Sequence, residues 1–224
     1  MDPRPDLDPP ATVARLIGRY PVLAPPVSTA GAAVTIVLRA GREDAEVLLI
    51  ERSRNEVDPA SGHVALPGGR VDEGDGNLLA TALRELEEEV GLTQEDLAGP
   101  LRFVGAEHAR RFGLTVGIFA GELAGGARGP SARSASEVAH VFWFPGHRLA
   151  ATETIRTATG PVPSGVPASV YEGHVLWGFT RRILRAFFGL PAEPDLGGRA
   201  FAAAAASARG TGTSDRSGDG GFTG

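Results

Sequence analysis

Three glutamates share one face of a predicted helix in the middle of the chain. Residues 77–90 carry apolar side chains at three- and four-residue spacing, which predicts a helix. Glu85, Glu88 and Glu89 stand at positions i, i+3 and i+4, so their side chains lie together. Like charges at this spacing destabilise a helix by roughly 0.2–0.5 kcal/mol per pair. A divalent cation such as magnesium would offset this repulsion, because hard cations take oxygen ligands.

A solvated acidic helix face is the simpler explanation of the same residues. Two features favour a binding site instead. Leu83 and Leu86 anchor the opposite face of the helix, so the carboxylates point in one direction. The glycine-rich turn 67–69 lies upstream and would let the backbone approach a metal ion or a phosphate. We predict Asp75 as the N-cap of the helix and Gly91 as its C-cap.

Other elements are predicted around this helix from hydrophobic periodicity and from turn residues. The predicted strands are 32–39, 45–51, 63–66, 101–106, 114–123 and 138–144, and the further predicted helices are 11–20 and 175–188. Residues 152–171 are irregular, and a short hairpin there is left open. The order of strands and helices implies an α/β fold with a mixed sheet between helices.

Composition excludes several classes of function. The chain has 224 residues, of which 42% are hydrophobic, enough for one sizeable core. Its formal net charge of −5 gives no reason to expect a nucleic-acid partner. It has no cysteine, so disulfides, thiol catalysis and cysteine-ligated zinc are excluded. Neither a signal peptide nor a membrane-spanning run is found, so we predict a cytoplasmic protein without a membrane partner.

The glycine turn and the glutamate helix together resemble the Nudix box. That motif is Gly, five residues, Glu, seven residues, then Arg-Glu-apolar-x-Glu-Glu-x-Gly-apolar. Its second half is complete in residues 84–92, which read Arg-Glu-Leu-Glu-Glu-Glu-Val-Gly-Leu. Its first half departs from the motif. Asp75 stands six positions after Gly69 where glutamate is usual, and the spacer before Arg84 is one residue longer.

The resemblance implies the Nudix fold, an α/β/α sandwich around a mixed β-sheet, and the hydrolysis of a phosphoric anhydride with Mg²⁺ (or Mn²⁺). The metal ligands that it implies are Glu85, Glu89, Glu88 and the carbonyl of Gly69. Arg84 would hold the glutamates by a salt bridge. By the same resemblance the general base would be a glutamate of the box, Glu88, or a later carboxylate, for which Glu137 is favoured over Glu107.

Further segments resemble the branch of the family that contains coenzyme A diphosphatases. The branch signature Leu-Leu-Thr-x-Arg-Ser appears at 48–53 as Leu-Leu-Ile-Glu-Arg-Ser, and Gly-x-x-x-Phe-Pro-Gly-Gly appears at 62–69 with Leu66 for Phe. The arginine expected between them is absent, and 56–58 read Glu-Val-Asp. Residues 176–180, Leu-Trp-Gly-Phe-Thr, look like a helix start of this branch. A coenzyme A substrate is favoured; another nucleoside-diphosphate derivative, or a non-catalytic nucleotide-binding regulator, stays open.

The predicted partner is a small-molecule diphosphate, and a homodimer is left open because Nudix relatives are often dimers. The candidate substrate contacts are Arg52, Arg54, Gly68 and Arg111. Guanidinium groups match phosphate oxygens, although an ordinary surface position explains each arginine equally well. We predict structural roles for His63 and Trp177.

The chain is divided into three predicted parts. Residues 1–27 form an N-terminal helix and a proline-rich lead-in, and 28–190 form the Nudix hydrolase domain. Residues 191–224 lose the apolar pattern and become low in complexity, so we predict a disordered tail.

Overall fold

The computed structural model describes residues 9–22, 30–54, 61–109, 113–155, 162 and 165–192. These ranges contain three α-helices: α1 Pro9–Gly18, α2 Leu78–Val90 and α3 Gly178–Phe187. They also contain ten strands, which are β1 Ala32–Ala40, β2 Ala45–Arg52, β3 Val64–Ala65, β4 Gly68–Arg70, β5 Arg102–Ala109, β6 Leu114–Glu122, β7 Val138–Pro145, β8 Glu153–Thr154, β9 Pro167–Tyr171 and β10 His174–Trp177. The longer predicted strands are confirmed to within a few residues.

A mixed sheet forms the centre of the domain. In the described ranges its strand order is β3-β2-β1-β6-β5, with β4 also beside β1 and β7 also beside β2. Strand β1 runs parallel to β6 and antiparallel to β2 and β4. Strand β4 pairs with residues 32–34 of β1, whereas β2 pairs with residues 38–40. The glycine-rich segment is therefore a short strand next to the central strand, and our prediction of a plain turn there was wrong.

Helices cover both faces of this sheet. Ala33 and Val37 of β1 belong to the core that packs under α2. Ile36 and Leu38 belong to the core shared with α1 and α3. Successive strand residues point to opposite faces, so one strand contributes to both cores. The predicted α/β/α arrangement around a mixed sheet is confirmed.

Strands β8, β9 and β10 form a second, antiparallel sheet in the order β10-β9-β8. Part of this sheet lies in the segment where a hairpin was left open. The helix predicted from residue 175 begins only at Gly178, because His174–Trp177 pair with Ala168–Tyr171. A short apolar run such as 174–177 fits both the strand and the helix period, and its hydrogen bonding to β9 makes it a strand. Gly178 has a φ of 62°, which turns the chain from strand to helix.

Several sequence predictions fall outside the described residues. These include residues 1–8 and 23–27 of the N-terminal part, the Glu-Val-Asp segment 56–58, Arg111, and residues 193–224 of the C-terminal part. Helix α1 itself packs on the sheet, with Val13 and Leu16 buried in the same core as α3. No helix in the described ranges is long and apolar enough to cross a membrane.

Candidate active site

Helix α2 carries the glutamates, and its N-terminus is capped differently from our prediction. The side chain of Asn77 accepts a hydrogen bond from the Ala80 amide at 3.0 Å, and Gly91 ends the helix with a φ of 73°. Asp75 is not the cap. Its two carboxylate oxygens accept hydrogen bonds from Nε and Nη2 of Arg84, at 3.0 and 2.9 Å. A bidentate pair between charged groups is stronger than a neutral capping bond, so the nearer Asn77 caps the helix.

Arg84 joins Asp75 to the acidic face of the helix. Its Nη1 donates to Glu85 Oε1 at 2.9 Å and to Glu88 Oε2 at 2.8 Å. Its Nη2 also donates to the carbonyl of Arg70 in β4, at 3.0 Å. The Arg84 guanidinium holds the pKa of Asp75 well below its usual range, and Asp75 in turn raises the pKa of Arg84. The predicted salt bridge from Arg84 is present to Glu85 and Glu88, whereas Glu89 is held by the Gly68 amide and Arg52.

Glu85 lies directly against Gly69 of β4. A Cβ atom added to Gly69 would collide with both oxygens of the Glu85 carboxylate. Glycine at this position therefore provides the space in which the carboxylate lies. Burial raises the pKa of Glu85, although the hydrogen bond from Arg84 opposes the shift.

Glu89 is the most buried of the three glutamates, with a side chain that is 3% exposed. Its Oε2 accepts a hydrogen bond from the Gly68 amide at 2.8 Å, and its Oε1 lies 3.5 Å from Nη1 of Arg52. Burial raises the pKa of Glu89 to about 7, although the Gly68 amide and Arg52 both lower it. The charges of Glu85 and Glu137 raise it further. Burial therefore disfavours the ionised form of Glu89, and a bound divalent cation would offset this cost.

Glu88 and Glu137, the two candidates for the general base, are both accessible. Glu88 pairs with Arg84 and its side chain is 54% exposed. Glu137 is exposed and directly precedes β7, and its carbonyl accepts a hydrogen bond from the Ser53 amide at 2.8 Å. Its charge contributes to the raised pKa of Glu89, so its carboxylate lies within electrostatic reach of the site. Both residues stay candidates.

The chemistry of these donors fits a hard divalent cation. Glu85 and Glu89 contact the same strand, β4, and both carry carboxylates whose pKa burial has raised. In the described residues no closed group of three carboxylates surrounds one point. Glu88 instead turns towards Arg84. Two carboxylates still suit magnesium, which is usually bound through one or two carboxylates and keeps several waters.

A cavity of about 530 Å³ adjoins β4 on the α3 face of the sheet. Its apolar floor comes from the first residues of β1 and β6, and the start of α3 forms one wall. His63 and Trp177, for which we predicted structural roles, both line it, with ring centroids 5.1 Å apart. Its charged lining residues among those described are Arg52, Arg70 and Arg182. The cavity therefore offers apolar surface at one end and arginine side chains beside the glycines of β4.

Comparison with known proteins identifies the family. Residues 29–161 match the model of the NUDIX domain. The chain belongs to the Nudix hydrolase family. NudL of Cronobacter sakazakii, named as an uncharacterised Nudix hydrolase, is 31% identical over 185 residues, which cover 79% of this chain and 93% of that protein. NudL of Yersinia pestis is 29% identical over 143 residues, which cover 62% of this chain and 69% of that protein.

Solved structures of Nudix proteins also match this Nudix hydrolase. A NUDIX hydrolase from Alicyclobacillus acidocaldarius is 21% identical with a TM-score of 0.47, and the match covers 75% of this chain and 95% of that one. The NUDIX domain of Shewanella oneidensis NrtR, complexed with ADP ribose, is 23% identical with a TM-score of 0.42, covering 53% and 73%. Membership of the family makes this chain a pyrophosphohydrolase that acts on phosphorus-containing acid anhydrides.

The other residues of this Nudix hydrolase that were predicted to contact substrate or to act as the base lie in different surroundings. Arg52 lines the cavity but also faces Glu89, and the amide of Gly68 donates to Glu89. Arg54 is exposed and is not among the described residues that line the cavity. Glu107, the weaker candidate base, is buried and paired with Arg182 at 2.9 Å, so it is not proposed as the base. That pair has no local sequence signal, since 75 positions separate its two residues.

Proposed function

We propose that this Nudix hydrolase cleaves the diphosphate of coenzyme A or of a coenzyme A thioester, giving an adenosine phosphate and a phosphopantetheine. The supporting observation is that the two branch-like segments, 48–53 and 62–69, lie together. Ile50 pairs with Ala65, and the Arg52 amide donates to the His63 carbonyl at 3.0 Å. Together the segments form one wall of the cavity next to the glutamates.

The proposed cofactor is Mg²⁺ (or Mn²⁺), held by Glu85 and Glu89, with Glu88 and the Gly69 carbonyl as further ligands. When bound, such a cation neutralises charge on the diphosphate and activates a water molecule. The chain itself positions the ligands. Asp75 and Arg84 fix Glu85, and the Gly68 amide orients Glu89. Glu88 or Glu137 would take the proton of the attacking water, as the general base.

The diphosphate is proposed to lie where the cavity meets β4. Arg52 and Arg70 line the cavity there, and guanidinium groups form strong charge-assisted bonds with phosphate oxygens. Arg52 also faces Glu89 at 3.5 Å, so it lies between the metal ligands and the proposed diphosphate site. Gly68, Arg54 and Arg111 are proposed as further contacts.

A second candidate is hydrolysis of another nucleoside-diphosphate derivative, such as ADP-ribose, NADH or an NTP. The observation that favours it is in the sequence, where Leu66 replaces the phenylalanine of the branch signature and the signature arginine is absent. A non-catalytic regulator is disfavoured, because three mutually repelling carboxylates on one helix face have no evident purpose without a cation.

Incubation with Mg²⁺ or Mn²⁺ and a panel of substrates tests these candidates. The panel contains coenzyme A, ADP-ribose, NADH, dinucleoside polyphosphates and NTPs, and mass spectrometry identifies the products. We expect coenzyme A to be converted fastest, with cleavage inside its diphosphate. Turnover of ADP-ribose without turnover of coenzyme A would contradict the first candidate and support the second. The Glu89→Gln variant serves as the inactive control.

A further inference from the structure

A buried ion pair lies at the α3 wall of the cavity, apart from the glutamate site. Nη2 of Arg182, in α3, donates to Oε1 of Glu107, in β5, at 2.9 Å. The side chain of Arg182 is 22% exposed and that of Glu107 is 7% exposed. Arg182 lines the cavity, whereas Glu107 is not among the residues that line it. Arg182 therefore reaches the cavity, and Glu107 does not.

This pair uses only part of its hydrogen-bonding capacity. In the part of the chain that the structure describes, Oε2 of Glu107 and Nε of Arg182 are buried without a hydrogen-bond partner. Arginine and carboxylate side chains often form two parallel bonds, and a buried polar atom left unpaired destabilises the fold. A pair that served stability alone would be expected to form both bonds. Both unpartnered atoms are themselves buried, so the groups of this pair that can face an occupant of the cavity are the terminal nitrogens of the Arg182 guanidinium.

The surroundings indicate what the guanidinium can recognise. Glu107 cancels its charge, so this end of the cavity presents N–H donors without a net positive charge. The lining around it is apolar, with Ala109 and Val116 from the sheet and the Phe179 ring centroid 5.3 Å from the guanidinium carbon. A phosphate placed here would be repelled by the Glu107 carboxylate and would lose its water. An uncharged acceptor avoids both costs.

We propose that Arg182, oriented by Glu107, recognises an uncharged hydrogen-bond acceptor on the organic arm of the substrate. The acceptor is an amide carbonyl or a heteroaromatic ring nitrogen, and the diphosphate lies at the other end of the cavity, beside Gly68 and Gly69. Arg182 is then a residue that determines substrate specificity. This inference rests on the proposed hydrolysis of an organic diphosphate.

The double variant Glu107→Met/Arg182→Met tests the proposal. It replaces the pair by apolar side chains of similar size and leaves no unpaired buried charge, so the fold should be retained. Trp177 lines the cavity and reports binding by its fluorescence. A Trp143→Phe background removes the other tryptophan, which lies against Arg39. The matched control is Arg185→Met, on the same helix but not among the described lining residues.

Affinity is titrated without metal, and kcat and KM are measured with Mg²⁺. We expect coenzyme A and 3′-dephospho-coenzyme A to bind the double variant about tenfold more weakly. KM should rise by a similar factor while kcat stays within about twofold, and the control should behave as the parent protein. A parallel loss for ADP-ribose would show that the acceptor belongs to adenine; an unchanged affinity for ADP-ribose would show that it belongs to the pantetheine amides. Either result supports the proposal.

Two results would overturn it. One is an unchanged Kd and KM in the double variant, which would make the pair purely structural. The other is a loss confined to ligands that carry the 3′-phosphate, which would mean that Arg182 binds a phosphate. Failure of the proposed function is separate, since it would appear as absent turnover of every diphosphate by the parent protein even where Trp177 reports binding. A single Arg182→Lys variant keeps the charge, and it should recover only part of the lost affinity because a lysine lacks the planar fork.

Discussion

Each face of the central sheet carries an arginine paired with a carboxylate, and the two pairs differ in how fully they are bonded. On the α2 face, Arg84 makes two bonds with Asp75 and also reaches Glu85 and Glu88. On the α3 face, Arg182 makes one bond with Glu107, and the described residues offer no partner to the remaining buried atoms. The first pair is a fixed support. The second is held by one bond, and its arginine lies next to a cavity.

This difference assigns the chemical step to the α2 face of the sheet and substrate recognition to the α3 face. The α2 face gathers negative charge around Glu89, where burial disfavours the ionised carboxylate. On the α3 face, Glu107 neutralises the charge of Arg182, and apolar side chains surround the pair. Strand β4 adjoins both sites: Gly69 leaves room for the Glu85 carboxylate, the Gly68 amide binds Glu89, and both glycines also line the cavity. The following changes test how completely the two functions are divided.

Glu89→Gln should have the largest effect on the α2 face. Loss of a metal ligand should lower kcat with Mg²⁺ by about two to three orders of magnitude. The metal-free protein should be no less stable at pH 8, because glutamine still accepts from the Gly68 amide and removes an unfavourable buried charge. Turnover assays and thermal unfolding with EDTA measure both effects. Glu87→Gln, an exposed neighbour on the same helix, is the control. Full activity of the Glu89 variant would refute the metal assignment.

Gly69→Ala tests whether the residue at position 69 of β4 must lack a side chain. The added methyl group would occupy the place of the Glu85 carboxylate, which would have to rotate away. A displacement of about an ångström at a reacting centre can cost 10²-fold in rate, and we expect a loss of about that size. Gly74→Ala is the matched control, because a Cβ there meets nothing within 4 Å. Equal activity in the two variants would mean that Glu85 has no required position.

The glutamate helix was the part most accessible to prediction. Its apolar spacing and C-cap glycine are local signals, and the structure confirms the helix to within one residue. Asp75 shows where local signals fail. A residue before a helix can cap it, but a contact with Arg84 nine positions later decided its role. The pair between Glu107 and Arg182 joins a strand to a helix far along the chain, and no periodicity encodes such a contact.

Asp75→Asn tests the fixed support itself. Asparagine keeps the size of the side chain but weakens its hold on Arg84, which could then shift towards Glu85 and Glu88. Groups that orient metal ligands typically contribute 10–100-fold in metal affinity or activity, and we expect a loss within that range. Mg²⁺ titration and steady-state kinetics measure it, with the exposed Asp72→Asn as the control. A change in stability without a change in Mg²⁺ affinity would show that Asp75 stabilises the fold and does not position the metal ligands.

The smallest predicted effect is a dependence of Mg²⁺ binding on pH that belongs to the α2 face alone. The pKa of Glu89 is about 7 in the metal-free chain, so below this pH a proton occupies the carboxylate and must leave before a cation binds. Affinity should therefore fall as pH falls, by at most about tenfold per unit below pH 7, and should level off above it. Calorimetric titration at several pH values measures this slope.

The Glu107→Met/Arg182→Met variant should show the same slope as the parent protein, because its substitutions lie on the other face of the sheet. Glu89→Gln should remove the slope, because glutamine carries no proton that must leave. A changed slope in the double variant would show that the two faces are electrostatically coupled. In that case a charge change beside the cavity would alter Mg²⁺ binding across β4, and the metal site and the cavity could not be treated as independent.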